Sequence, residues 1–184
     1  LQNKTVETTK MSKKPEANLS DLFILDFTGM ISGAFCTKLL ADVGANVLKI
    51  EPPGGEIMRS VAPMLNDKSC VFGSLNIGKK SITLDLKKNE SVDICLKLIK
   101  KYDIVIENFS PGVMQRLGLD YNAMKKSNED IIMCSISGYG QSGPDAYQPA
   151  FAPIIQAKSG YDLTYAEAQD LSLIHISEPT RLCR

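Results

Sequence analysis

The sequence predicts an α/β fold, a parallel sheet with helices on both faces. Three observations carry that expectation. Five short runs are dominated by apolar residues, as strands buried on both sides are; stretches of helical period separate them; and Gly, Pro, Asn and Ser gather in the segments that follow the runs. Parallel neighbours need crossover connections, and a helix in each crossover covers the sheet.

Leu22 to Phe27 (LFILDF) opens the pattern as a central strand bounded by a Thr-Gly turn. After Gly33, AFCTKLLADVG has apolar or small residues at helical spacing and stops on Gly44, a natural C-terminal end. Asn46 to Glu51 (NVLKIE) is the second strand, completing one strand-helix-strand unit. The next stretch, PPGGEIMRSVAPMLNDKSCVFGSLNIGKKS, is rich in Pro and Gly and lacks a steady period, so it reads as a long functional loop with one short helical piece near Glu56 to Ser60. Beyond it come a strand over Ile82 to Leu86, an amphipathic helix over Glu90 to Lys101 and a strand over Asp103 to Glu107. A short helix over Tyr121 to Lys126 and a strand over Ile131 to Ile136 close the series. In such sheets ligands bind outside the carboxyl ends of the strands, so the loops after Phe27, Glu51, Glu107 and Ile136 should line one rim.

At 184 residues and 43% hydrophobic, the chain is long enough for one domain and too short for two of ordinary size. Twenty-one basic residues balance twenty-one acidic ones without a block of either sign, which disfavours nucleic acid or an anionic membrane as the main partner. The longest apolar runs fall far short of a bilayer span and no charged start precedes a signal core, so the expectation is a cytoplasmic protein, or a mitochondrial one in a eukaryote. Cys36, Cys70, Cys95, Cys134 and Cys183 show neither CxxC nor CxxxH spacing; they read as buried free thiols rather than a metal site or a disulfide framework, and no metal is expected.

The two ends read differently from the middle. Residues 1–19 are polar and without period, a disordered leader in which Met11 is a candidate start. Residues 171–184 begin LSLIHISEPTR, which resembles the in-frame translation of a transposase adapter used in sequencing libraries; on that reading they are not native. His175, the single histidine, and Cys183 then drop out as functional candidates, and the native chain runs on past Asp170. That leaves 20–170 as the folded part.

A dinucleotide-binding domain is the first competitor, because a glycine turn follows the first strand and Glu51 closes the second, where an acid would hold a ribose. The turn reads T-G-M-I-S-G-A-F, however, with Gly29 and Gly33 spaced GxxxG and no middle glycine for a pyrophosphate to approach. Pro-Pro-Gly-Gly after Glu51 also turns the chain sharply away.

The segments FILDFTGMISGAFCTKLLADVGANVLKIEPPGG, GKKSITLDLK, DIVIENFSPGVMQRLGLDY, SISGYGQSGP and PAFAPIIQAKSG, in that order over about Leu22 to Gly160, resemble the class III CoA-transferase family, the formyl-CoA transferase and carnitine CoA-transferase group. The resemblance implies a Rossmann-like large domain, here truncated, from a homodimer whose chains interlock as linked rings. It implies a reaction that moves CoA from an acyl-CoA donor to a free carboxylic acid through an aspartyl-CoA thioester.

Carried over by position, the resemblance sets Gly29, Met30, Ile31 and Ser32 against CoA, with backbone amides toward the ligand. Leu84 becomes an apolar wall for adenine and Lys87 a cation for the phosphate end. Asn108 offers an amide to CoA, Phe109 packs on it, and Arg116 reaches a phosphate. Two departures leave the acceptor open. Pro52 stands where some relatives carry arginine, which points to Arg59 as a substitute, and Gly29 stands where the formyl-CoA enzyme has histidine.

An α-methylacyl-CoA racemase is the rival within the superfamily, but its Gly-His-Asp base motif is replaced by Ala150-Phe151-Ala152-Pro153 ahead of Ser159 and Gly160. The resemblance implies a nucleophilic aspartate in a Gly-Asp motif that falls beyond Asp170, with Asp162 too early and Asp170 itself short of the place. The chain as written is therefore expected to lack it, and a non-catalytic CoA-binding fragment is the remaining alternative.

Overall fold

The computed structural model describes residues 19–168. Most of the expected leader, with Met11, and the adapter-like tail, with His175 and Cys183, lie outside the described residues, as does Asp170. Leu19, placed at the end of the leader from sequence, instead packs against the core and donates its N–H to Val43 O at 3.3 Å.

The expected strands form in chain order as β1 (Phe23–Asp26), β2 (Asn46–Glu51), β5 (Lys80–Thr83), β6 (Ile104–Glu107) and β7 (Ile132–Ser135). They pair in parallel in the order β5-β2-β1-β6-β7. Sequence placed the third of them over Ile82 to Leu86; the ladder with β2 instead starts at Lys80 and stops at Thr83, and Leu84 already belongs to the rim.

Helix α1 (Ser32–Asp42) crosses from β1 to β2, and α3 (Asn89–Ile99) from β5 to β6. Alternation along β1 shows both faces in use. Ile24 packs with Val47, Ile106 and the α1 residues Cys36 and Leu40, while Leu25 packs with Ile50, Cys95, Ile99 and Val105. Each face is thus closed by a helix, as a parallel sheet requires.

The segment read as one long loop is more ordered than that. Ile57–Ser60 forms a 3-10 turn, Met64–Leu65 (β3) and Lys68–Ser69 (β4) form a two-stranded hairpin, and Cys70–Asn76 is a helix, α2. Asn66 and Asp67, at φ 49° and 58°, supply the left-handed pair that a two-residue hairpin turn needs. Ser69 Oγ caps α2 by accepting from Phe72 N at 3.2 Å, and Leu75 packs on Ala34 and Met58. With Gly73 inside it and few buried positions, α2 has too weak a period to be read from sequence.

Three further helices were not expected as elements: α4 (Val113–Arg116), α6 (Ala152–Ser159) and α7 (Tyr161–Ala168), alongside the anticipated α5 (Tyr121–Ser127). Among the described residues of α6 none is buried, and in α7 Ala166 alone is, so neither carries an apolar stripe. The thiols depart from the buried reading in part: Cys95 is buried, which pushes its pKa up to about 11, Cys36 and Cys134 are half-buried, and Cys70 is exposed. Among the described residues no helix is long and apolar enough to cross a membrane.

Candidate functional site

The strand order reverses at β1: β2 and β5 lie on one side, β6 and β7 on the other. A crevice opens at that switch, between the ends of β1 and β6. Asn108, the residue after β6, bridges it. Its Oδ1 accepts from Gly29 N at 2.8 Å and its Nδ2 donates to Gly29 O at 2.8 Å, a reciprocal pair across 79 positions of sequence. So close an approach depends on Gly33, where an added Cβ would sit 2.4 Å from Thr28 Cγ2 and 3.1 Å from Asn108 Cγ.

The turn after β1 is held from below by buried charge. Asp26, with no exposed surface, accepts from Thr28 N (2.8 Å), Thr28 Oγ1 (2.6 Å), Thr37 Oγ1 (2.7 Å) and Lys79 Nζ (3.2 Å). Lys79 Nζ also reaches Ala34 O and Asn76 Oδ1. Burial pushes the Lys79 pKa below the usual lysine value, and the Asp26 carboxylate opposes that shift. On the other side Lys49 Nζ donates to Thr28 O at 2.6 Å and lies 3.1 Å from Glu56 Oε2, while Glu56 Oε1 accepts from Met30 N at 2.5 Å. Met30 itself sits at φ 59°, a left-handed backbone that residues with a Cβ rarely adopt.

Glu51 anchors the far wall. Gly55 N donates to Pro52 O at 2.9 Å, closing the Pro-Pro-Gly-Gly turn and bringing the chain back over β2. Glu51 Oε2 then accepts from Arg59 Nε (2.6 Å) and Glu56 N (3.1 Å), and Oε1 from Arg59 Nη2 (2.7 Å) and Ser81 Oγ. The Arg59 hydrogen bonds lead in holding the Glu51 pKa down at about 2, against burial and with help from Ser81. Both oxygens are committed, so no ribose is held here without breaking this set. Arg59 is committed as well: paired to Glu51 and stacked 3.9 Å over the Phe72 ring, it does not fill the place left by Pro52.

Above these residues is a cavity of about 330 Å³ at the carboxyl ends of β1, β2, β5 and β6. Gly29, Leu84, Lys87 and Phe109 line it, with Phe27, Ile50, Leu86 and Leu117 supplying apolar floor. Four residues singled out from sequence therefore meet in one place. Met30, Ile31 and Ser32 lie outside that lining, exposed at the start of α1. Arg116 is exposed on α4, its Nη1 near Gly112, beside but not among the lining residues. A wider open depression along the edge strand β7 brings together none of the nine.

One expectation changes. The Gly29 and Met30 amides do not face outward, because Asn108 and Glu56 already accept from them; among the described residues, the first N–H groups on this turn without an acceptor belong to Ile31 and Ser32. Asn108 correspondingly acts on the turn rather than presenting its amide to solvent. Asp26, Lys49, Glu56 and Lys79 were not anticipated. Their signal was present, since Asp26 and Lys49 interrupt strands otherwise dominated by apolar residues, and a charge inside such a strand must find a partner.

Comparisons with known proteins bear on the family and the fold. The chain is 44% identical over 148 residues to an acetyl-CoA:oxalate CoA-transferase of Acetobacter aceti, covering 80% of this chain and 38% of that protein. It is 40% identical over 151 residues to a succinyl-CoA:glutarate CoA-transferase of Mus musculus, covering 81% and 34%. The chain thus spans well under half the length of the curated relatives it matches.

Among solved structures, a Mycobacterium tuberculosis protein in an orthorhombic crystal form superposes with a TM-score of 0.76 at 33% identity, over 81% of this chain and 42% of that one. A CaiB/BaiF family protein from Brucella suis does so with a TM-score of 0.74 at 32% identity, over 79% and 40%. The profile of CoA-transferase family III matches residues 19–174, which takes in every element described above, and the chain belongs to that family.

Proposed function

We propose that this chain carries the CoA-binding part of an enzyme that transfers CoA from an acyl-CoA donor to a free carboxylic acid. One observation carries the reading: Gly29, Leu84, Lys87 and Phe109, from the loops after three different strands, converge on a single apolar cavity on the carboxyl rim. Leu84, Leu86 and Phe109 offer apolar and aromatic surface to an adenine ring, and Lys87, exposed at the mouth, offers a cation to the nucleotide phosphates. Arg116 is a second cation alongside, and the first turn of α1 presents Ile31 and Ser32 N–H groups to the remainder of the ligand.

The chemistry follows from a carboxylate nucleophile, an aspartate beyond Asp170. It attacks the donor thioester carbonyl and expels CoA thiolate, leaving a mixed anhydride. The thiolate then attacks the aspartyl carbonyl and releases the donor acid, forming aspartyl-CoA. The acceptor carboxylate repeats the exchange in reverse order, yielding the new acyl-CoA and the free aspartate. The enzyme works in the cytoplasm as a homodimer on this reading. Short acyl-CoA donors and dicarboxylate acceptors, the kinds named for its relatives, form the panel to assay.

The test is calorimetric titration of the full-length protein with CoA, alongside Lys87→Glu and Phe109→Ala. Each variant is expected to bind at least about tenfold more weakly, the loss of one charge-assisted contact or one packed ring. Wild-type affinity in both variants would rule out this cavity as the site.

A further inference from the structure

We propose that Glu56 is a positioning residue for CoA binding: its buried carboxylate holds the Gly29–Met30 turn, whose Gly29 lines the cavity, and thereby fixes the first free N–H groups of α1 that follow it. The proposal rests on the CoA-binding reading above. Glu56 is 8% exposed and Lys49, whose ammonium faces it at 3.1 Å, is 1% exposed. A charge pair so deeply withdrawn from water is costly to assemble, and it persists only where its surroundings hold it.

What the pair holds is a backbone in a disfavoured state. Met30 at φ 59° brings its Cβ toward its own carbonyl, so the turn tends to relax unless something grips it. Glu56 Oε1 grips it through Met30 N at 2.5 Å, a charge-assisted bond at the N–Cα pivot about which that φ is set. Lys49 holds the chain two residues earlier, through Thr28 O at 2.6 Å.

Glu56 is itself held. Its N–H donates to Glu51 Oε2, which Arg59 pairs with, and the Pro52–Gly55 turn sets where it emerges. The restraint therefore runs from the outer ion pair through Glu56 to Met30 and ends at the start of α1. With the Gly29 and Met30 amides both taken, the position of this turn decides where Ile31 and Ser32 present theirs.

The test uses Glu56→Ala and Glu56→Gln in the full-length protein, each alone and together with Met30→Gly. It reads hydrogen exchange of the peptide containing Gly29 to Ser32, and CoA affinity by calorimetry. Glu56→Ala is expected to speed exchange in that peptide and weaken CoA about tenfold, whereas Glu56→Gln, which keeps an acceptor, stays within about threefold. Beside Met30→Gly, where the left-handed backbone costs little, the Glu56→Ala loss is expected to shrink to about threefold.

If Glu56→Ala does not fold, Lys49→Met with Glu56→Leu removes both charges together and carries the same expectation. Unchanged exchange in that peptide, or equal CoA losses for Ala and Gln regardless of residue 30, overturns the proposal. Wild-type protein that binds no CoA refutes the functional reading instead, and the exchange data still decide whether Glu56 holds the turn.

Discussion

Two glycines in helices should respond in opposite directions to the same substitution. At Gly73, in the interior of α2, a Cβ would meet nothing within 4 Å, so Gly73→Ala removes backbone freedom from the unfolded chain at no steric cost. The expected gain is about 0.5–1 kcal/mol. At Gly33, in the first turn of α1, the same methyl would lie 2.4 Å from Thr28 Cγ2 and 2.5 Å from Thr28 Cβ. Thr28 cannot turn aside freely, because its hydroxyl and its N–H are both bonded to Asp26, at 2.6 and 2.8 Å. Overpacking of this kind costs about 1–3 kcal/mol and outweighs the entropic gain. Gly33→Ala should therefore lower the urea midpoint and, by pushing on Asn108, also weaken CoA. Urea unfolding of both variants, with the slope checked for constancy, reads the difference. Equal shifts of the same sign in the two proteins would refute the claim that close approach, rather than helix preference, governs Gly33.

Glu51 sets an acid limit. Its folded pKa of about 2 lies below the ordinary value of 4.5, so its stabilisation is complete above pH 4.5 and lost as pH falls from there through 2. With the Arg59 side chain 44% exposed, solvent screening reduces this to about 1–2 kcal/mol, and Arg59→Ala should flatten the melting temperature against pH across that window. A profile unchanged by Arg59→Ala would show that the pair does not set the limit. Lys79→Met leaves the Asp26 carboxylate buried with three neutral donors and should cost about 3 kcal/mol, much of it regained by adding Asp26→Asn; thermal unfolding of the single and double variants checks this, and additive losses would refute the pairing.

Much of the fold was legible because its signals are local. NVLKIE was read at its observed bounds, and the helices around residues 34–44, 90–101 and 121–126 were placed within a few positions, since each carries a period or a stop residue of its own. The hairpin turn at Asn66-Asp67 was equally local and was passed over, its left-handed pair hidden in a Pro- and Gly-rich stretch. Helices α6 and α7 lack an apolar stripe, and α2, whose Val71, Phe72 and Leu75 do face the core, is only seven residues long with Gly73 inside it, too short to show a period.

The candidate site divides in the same way. Gly29, Leu84, Lys87 and Phe109 could be named from residue type and motif order, and they do converge. Their supports could not be named: Asp26 with Lys79, Glu56 with Met30 and Asn108 with Gly29 lie 53, 26 and 79 positions apart. The composition of a strand shows that a buried charge needs a partner. Which partner it gets depends on strand order and on where each loop re-enters the rim, and both arise from packing between segments distant in the chain. The same dependence turned Arg59 from a candidate phosphate contact into the clamp on Glu51, because a buried carboxylate next to a guanidinium is too costly to leave unpaired.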